Sequence, residues 1–152
     1  PLWFGNQYRD DEENPVYGTA RVLLAYRDTR KLGDPAAVRG LAWLAGAINA
    51  DGGWGGDNRS TSSVEETAVA VEALRAAEND ATVRPALERG LDWLVTAVES
   101  GRHRETSPIG FYFAKLWYYE RLYPLIFTAA ALSSRVVQVP AAGRDLNGDR
   151  TL

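Results

Sequence analysis

The sequence predicts an all-α fold of stacked helical hairpins, and two internal repeats are the main reason. The segments RGLAWLAGA, from Arg39, and RGLDWLVTA, from Arg89, share most of their residues and lie 50 positions apart. The segments TARVLLAYR, from Thr19, and TAVAVEALR, from Thr67, form a second pair at nearly the same spacing. Such a period, with two helical stretches in each unit, is typical of a helical solenoid or a closed α/α toroid.

Composition supports one packed domain, or a segment of a larger one, and excludes several classes of partner. The chain has 152 residues, of which 45% are hydrophobic and 11% aromatic, enough for a real core. Its 17 basic and 20 acidic residues are scattered, so no basic stripe predicts a nucleic-acid partner. There is no cysteine and one histidine, His103, so we expect no thiolate metal site and no histidine cluster.

The sequence also allows predictions about membrane spans, targeting signals and the extent of the chain. No apolar run approaches the roughly 18 residues of a membrane span, and no signal peptide stands at the start. The sequence opens on Pro1 and contains no methionine, so we expect a C-terminal piece of a longer protein. We predict a helical domain over residues 1–137 and a polar tail over 138–152.

Each repeat unit is predicted to pair an inner helix with an outer one. The stretch from Thr19 is rich in Ala and Val on all sides, as in a helix flanked by several neighbours. Asp34 and Pro35 then predict a helix start, an N-cap followed by a proline at the first position. Apolar residues recur at helical spacing in both outer stretches: Leu41, Trp43, Leu44, Ala47 and Ile48, then Leu91, Trp93, Leu94, Ala97 and Val98.

The turn ADGGWGGD, residues 50–57, follows the first outer helix. We expect its glycines (Gly52, Gly53, Gly55 and Gly56) to adopt positive φ, so that Trp54 folds back between neighbouring hairpins. The alternative is that a sugar or aromatic ligand stacks on Trp54.

The next inner helix is predicted to begin at Ser63. Ser63 with Glu66 has the spacing of a capping box, and both Glu65 and Glu66 suit the positive end of the helix dipole. The alternative is catalytic, because a buried Glu65 held neutral would protonate an alkene.

Aromatic residues crowd the segment 111–123, which we expect to be helical. They cannot all share one face, so some are predicted to line a cavity where ring faces stabilise a carbocation. The alternative is an ordinary aromatic core. A third copy of the inner stretch is expected from Thr128.

Several of these motifs resemble one family. Arg39-Gly40, Trp43-Leu44 and Asp51-Gly52-Gly53-Trp54 together resemble the QW repeat of squalene-hopene and oxidosqualene cyclases. LWFGNQ at residues 2–7, YGTARVL at 17–23 and GFYFAKLWYYERLYPL at 110–125 are similar to C-terminal segments of the bacterial squalene-hopene cyclases. The resemblance implies part of a larger α/α toroid with about three inner and outer helix pairs, in which Arg39, Trp43, Gly53 and Trp54 are structural.

The resemblance also implies an activity. The whole enzyme would protonate a linear, squalene-like polyprene and cyclise it through carbocations, without a cofactor, in the cytoplasm and in peripheral contact with a membrane. Tyr17 corresponds to a tyrosine that helps return the proton, although it would also suit a cap of the first inner helix. Tyr112 and Tyr119 correspond to cavity aromatics, and with Trp117 they are predicted to bind the substrate.

The sequence departs from the family pattern at informative places. The glutamine that names the repeat is Ile48 here and Val98 in the second unit, and the DxDDT acid is absent. Two alternatives stay open, a glycan-processing α/α barrel using Glu65 or Asp57 with Trp54 and a non-catalytic helical scaffold. A protein prenyltransferase needs a zinc held by Asp, Cys and His, and the lack of cysteine excludes it unless those ligands lie upstream.

Overall fold

The computed structural model describes residues 13–57, 59–106, 108–111 and 116–133, and for 108–111 and 116–118 it describes the backbone alone. Helices dominate, and the all-α prediction is confirmed. The helices of these residues are α1 (Pro15–Asp28), α2 (Pro35–Gly46), α3 (Val64–Arg75), α4 (Arg84–Glu99) and α5 (Tyr123–Leu132). A 3₁₀ turn (Arg102–Arg104) and the strands β1 (Pro108–Phe111) and β2 (Leu116–Tyr119) lie between α4 and α5.

Helix α3 forms the centre of the molecule. It packs against α1, α4 and α5, and α2 pairs with α1. All of its side chains are buried except those of Glu72 and Arg75, which are partly exposed. This helix is rich in Ala and Val on all of its faces. Because these side chains are small, neighbouring helices can approach it from several sides. The inner layer α1, α3 and α5, with α2 and α4 outside it, agrees with the predicted alternation.

Helix starts follow their capping residues. Asp34 caps α2 as predicted, since its Oδ1 accepts the amide hydrogen of Ala36 at 2.8 Å. Helix α1 begins at Pro15, four residues before the repeated stretch that starts at Thr19, because Asn14 is the N-cap and Pro15 occupies the first turn. Helix α5 begins at Tyr123, ahead of the third copy expected from Thr128, with Pro124 in its first turn.

The helix predicted across the aromatic run is wrong. Strands β1 and β2 pair antiparallel there, with Pro108 opposite Tyr119 and Phe111 opposite Leu116. Aromatic residues lose rotamer freedom in a helix and favour strands, so a run of them between Pro108 and Pro124 prefers a hairpin. Among the described residues of the run, Tyr123 at its C-terminal end is helical.

The glycine-rich turn packs as predicted, but for a partly different reason. Of its glycines only Gly52 adopts positive φ, at 93°. Gly53 and Gly55 are required by close approach instead: a Cβ at Gly53 would lie 2.7 Å from Cβ of Ser62, and one at Gly55 would lie 2.5 Å from the carbonyl oxygen of Ser60. The turn is therefore pressed against the segment that leads into α3.

Candidate functional site

The N-terminal ends of α1 and α3 meet through a buried polar cluster. Asn14 accepts the amide hydrogen of Tyr17 on its Oδ1 at 3.0 Å and donates from Nδ2 to Oε1 of Glu66 at 2.9 Å. The hydroxyl of Ser63 also hydrogen-bonds to the Glu66 carboxylate. One carboxylate thus joins the first turns of two inner helices.

Ser63 caps α3 as predicted, although only one arm of the capping box is present. Its Oγ accepts the amide hydrogen of Glu66 at 3.2 Å. The reciprocal arm is replaced, because the amide of Ser63 donates to the carbonyl of Trp54 at 2.9 Å and the Glu66 side chain turns toward Asn14. Sequence reasoning missed this link because 52 residues separate Asn14 from Glu66.

Glu65 is buried in the first turn of α3, with 1% of its surface exposed. Acidic residues in a first turn suit the positive end of the helix dipole, as predicted for this position. Its role as an alternative acid stays a prediction.

Tyr17 lies beside this cluster, half-buried on α1. Burial raises the pKa of its phenol, and the neighbouring Tyr123 and Glu66 raise it further, while Arg21 opposes them. The phenol therefore keeps its proton at neutral pH. The cap of α1 is Asn14, and what Tyr17 contributes to that cap is its backbone amide, so its phenol is not the capping group.

Three aromatic rings connect α1 to α5. The ring centroids of Tyr17 and Phe127 lie 6.1 Å apart, and those of Phe127 and Tyr123 lie 5.2 Å apart, with the ring planes tilted in both pairs. We call Tyr17, Phe127 and Tyr123 the ring cluster. Sequence reasoning missed Phe127, although its position four residues after Tyr123 on a proline-led helix places both rings on one face.

Two of the three residues predicted to bind substrate, Trp117 and Tyr119, lie in strand β2. Tyr112 falls outside the described residues. The backbone of Trp117 lies in β2, opposite Gly110. Tyr119 ends β2 with 61% of its surface exposed, and within the described residues it makes no ring contact with the ring cluster.

Trp54 is fully buried, with 0% of its surface exposed. Its indole donates to the carbonyl of Leu44 at 2.9 Å, and its ring lies so close to α4 that a Cβ at Gly90 would be 2.5 Å from it. The ring bridges two hairpins, as predicted. The alternative of a ligand stacked on Trp54 is wrong, because no ring face is exposed, and a glycan site built on that ring loses its support.

The turn beside Trp54 is held from outside by α4. Arg89 donates from Nη2 to the carbonyls of Asn49 and Ala50 at 3.0 and 2.9 Å, and the Trp93 indole donates to Oδ2 of Asp51 at 3.1 Å. Burial would raise the pKa of Asp51, but hydrogen bonds from Gly53, Ser62 and Trp93 outweigh it and lower the pKa. The equivalent residues of α2 are exposed, since Arg39 is exposed and 43% of the Trp43 surface faces solvent.

Two kinds of feature are absent from the described residues. No group of three or more His, Cys, Asp or Glu side chains in them is placed to hold a metal ion. No helix in these ranges has both the length and the apolar character needed to cross a membrane.

Known proteins match this chain over most of its length. The family described as the squalene-hopene cyclase C-terminal domain matches residues 2–137. A squalene-hopene cyclase from Bradyrhizobium diazoefficiens is 34% identical over 131 residues, an alignment that covers 74% of this chain and 19% of that protein. No solved structure matches the chain.

Proposed function

Since this chain belongs to the squalene-hopene cyclase family, we propose that it is the C-terminal part of an enzyme that cyclises a linear, squalene-like polyprene. The reaction is an isomerisation, in which a protonated alkene gives carbocations that close rings and finally lose a proton. The chain spans about a fifth of its relative, 19%, and contains no DxDDT segment. Its part in this proposal is to line the cavity, with the proton donor supplied by the remainder of the same polypeptide.

The ring cluster is the observation that carries the proposal. Tyr17, Phe127 and Tyr123 are partly buried and lie where two inner helices meet. Ring faces attract a cation by about 0.5 to 2 kcal/mol, the larger value applying where water is excluded. A carbocation survives only where water cannot quench it, so a wall of aromatic rings that excludes water suits this chemistry.

Within the cluster Tyr17 has a second role in the proposal. Its raised pKa keeps the phenol protonated, so the hydroxyl is a hydrogen-bond donor and acceptor without becoming a nucleophilic phenolate. Such a group accepts a proton from one neighbour as it donates its own to another. We assign Tyr17 to proton return and leave Trp117, Tyr112 and Tyr119 as predicted substrate contacts.

Exposed apolar side chains at the start of α5, including its N-cap Leu122, support the membrane contact in this proposal. Leu122, Leu125 and Ile126 have exposed fractions of 57%, 40% and 54%. A squalene-like polyprene is as apolar as a lipid tail, so an enzyme using it gains from an apolar surface at the bilayer. We propose a cytoplasmic enzyme that contacts the membrane peripherally.

Conversion of squalene by the polypeptide as its gene encodes it tests the proposal. Products are separated by gas chromatography for the wild type, Tyr17→Phe, Phe127→Leu and a matched control, Val95→Ala, on the exposed side of α4. We expect Phe127→Leu to shift the products toward species with fewer rings, because a cation there loses a ring face. We expect Tyr17→Phe, which keeps the ring, to lower turnover more than it alters product ratios.

Other outcomes distinguish the alternatives. If wild-type protein binds squalene without converting it, the scaffold interpretation is favoured. Equal product profiles for Phe127→Leu and Val95→Ala would mean that the ring cluster does not line the cavity. Glu65→Gln in the same assay tests the alternative acid, since a catalytic acid at that position requires its loss to abolish turnover. Recovery of the enzyme from washed membranes, compared with the supernatant, tests the membrane contact.

A further inference from the structure

One buried side chain connects Tyr17 to helix α3. The side-chain amide of Asn14 accepts the backbone N–H of Tyr17 on Oδ1 at 3.0 Å and donates from Nδ2 to Oε1 of Glu66 at 2.9 Å. Asn14 and Glu66 each expose only 4% of their surface, so water competes little for these hydrogen bonds. Tyr17 is therefore joined to the first turn of α3 through a single rigid amide group.

The carboxylate of Glu66 is not needed for the cap of its own helix. In a complete capping box it would accept the amide hydrogen of Ser63, but the carbonyl of Trp54 accepts that hydrogen at 2.9 Å instead. The Ser63 hydroxyl makes the other bond of the cap, because it accepts the amide hydrogen of Glu66 at 3.2 Å. The Glu66 side chain is thus left to hold α1.

The position of the Tyr17 ring depends on this contact because Tyr17 lies in the first turn of α1, directly bonded to the N-cap. Its ring meets Phe127 of α5, with 6.1 Å between the centroids. Another hydrogen bond between α1 and α3, from Arg27 to Glu72 at 3.3 Å, lies at the opposite end of α1. A rotation at the start of α1 would therefore move the phenol while that distant bond stayed in place.

We infer that Glu66 and Asn14 are positioning residues for Tyr17, and that their hydrogen bond holds the phenol at the place from which a proton is returned. The inference rests on the proposed function of Tyr17, and both residues act through that side chain. Positioning matters because a proton moves only between groups within hydrogen-bond reach. A displacement of about 1 Å in a reacting group lowers a rate by up to about 100-fold.

Squalene kinetics of the polypeptide as its gene encodes it test the inference. Asn14→Ser keeps an N-cap of nearly equal strength, but its hydroxyl is too short to donate to Glu66. The exchange of Asn14→Asp together with Glu66→Gln keeps the hydrogen bond, with donor and acceptor reversed. We expect Asn14→Ser to lower kcat by about tenfold or more with little change in KM, and the exchange to recover most of the wild-type kcat.

Two controls separate positioning from a general loss of structure. Glu72→Ala removes the bond at the far end of α1, and its kcat should stay near that of the wild type. In a Tyr17→Phe background, Asn14→Ser should lower kcat no further, because the hydroxyl to be positioned is absent. Equal losses with and without the Tyr17 hydroxyl would overturn the inference, as would an exchange pair no more active than Asn14→Ser.

A second measurement does not depend on turnover. A fluorinated tyrosine at position 17 is observed by fluorine NMR, and we expect one narrow resonance in the wild type, a broadened or split one in Asn14→Ser, and one narrow resonance again in the exchange pair. An unchanged resonance in Asn14→Ser would contradict the positioning, even where squalene is converted. A wild type that gives the expected resonance but converts no squalene would instead contradict the proposed function, and with it the part of the inference that concerns proton return.

Discussion

At the scale of single residues, Trp54 explains the glycine at position 90, in the second Arg-Gly pair. The Trp54 ring lies against Gly90, while its backbone amide donates to Oγ1 of Thr67 at 2.9 Å and its indole to the carbonyl of Leu44. The sequence predicted a packed ring between hairpins because so large an apolar side chain needs a partner surface. It did not indicate which partner, since no local pattern links a tryptophan to a glycine in a later helix.

Replacement of that glycine tests the contact. In Gly90→Ala the new Cβ lies 2.5 Å from Cζ3 of Trp54 and 2.7 Å from Cγ2 of Val71, so overpacking should destabilise the fold by about 1 to 3 kcal/mol. The control is Gly46→Ala, at the end of α2, where a Cβ meets nothing within 4 Å. Urea unfolding measures both, and an equal midpoint for the two variants contradicts the packing described for Trp54.

The pKa of Tyr17 predicts how stability depends on alkaline pH. Because the folded-state pKa lies above the unfolded value of about 10, the contribution of Tyr17 is complete below that pH and is lost as the pH rises through the folded-state value. Urea midpoints from about pH 8 to about pH 11 should therefore fall more steeply for wild type than for Tyr17→Phe. Parallel curves would mean that the phenol is as easily ionised in the folded state as in the unfolded state.

At the scale of elements, the sequence predicted the local capping interactions but not the pairing between distant residues. The start of α2 followed from Asp34 and Pro35, and Ser63 was found as the cap of α3, because those signals lie within one turn. The hairpin β1–β2 was missed, since a dense aromatic run has no clear period and its helix or strand preference depends on neighbours. The loss of the second arm of the Ser63 capping box could not be predicted either. It depends on Trp54, which accepts from the Ser63 amide, and on Asn14, which donates to Glu66.

The link between α1 and α3 gives a prediction at this scale. Asn14→Ala removes the N-cap of α1 and a buried hydrogen bond to Glu66, so we expect a loss of about 2 kcal/mol in the free energy of unfolding. Asp34→Ala, which removes only the exposed cap of α2, is the control and should cost less. Chemical denaturation distinguishes them, and equal losses would show that the bond to Glu66 contributes nothing.

At the scale of the whole molecule, the repeat period predicted the architecture because each hairpin buries one face against the next. Inner and outer helices alternate as expected, and α3 lies between its neighbours. The candidate site was less predictable: Tyr17 was identified through family resemblance, whereas Phe127 entered only when α5 was placed beside α1. The residues that line a cavity depend on which helices contact each other, and the sequence alone does not predict those contacts.

The hydrogen bonds that Arg89 donates determine which substitutions in the repeat preserve this contact. Both of its acceptors, at Asn49 and Ala50, are backbone carbonyls, which every amino acid supplies. Substitutions among the residues that supply these oxygens leave the acceptors in place, and the adjacent Ile48, where the family has glutamine, packs against the apolar core instead. A joint made from main-chain atoms therefore keeps its hydrogen-bond geometry when the side chains at residues 49 and 50 change.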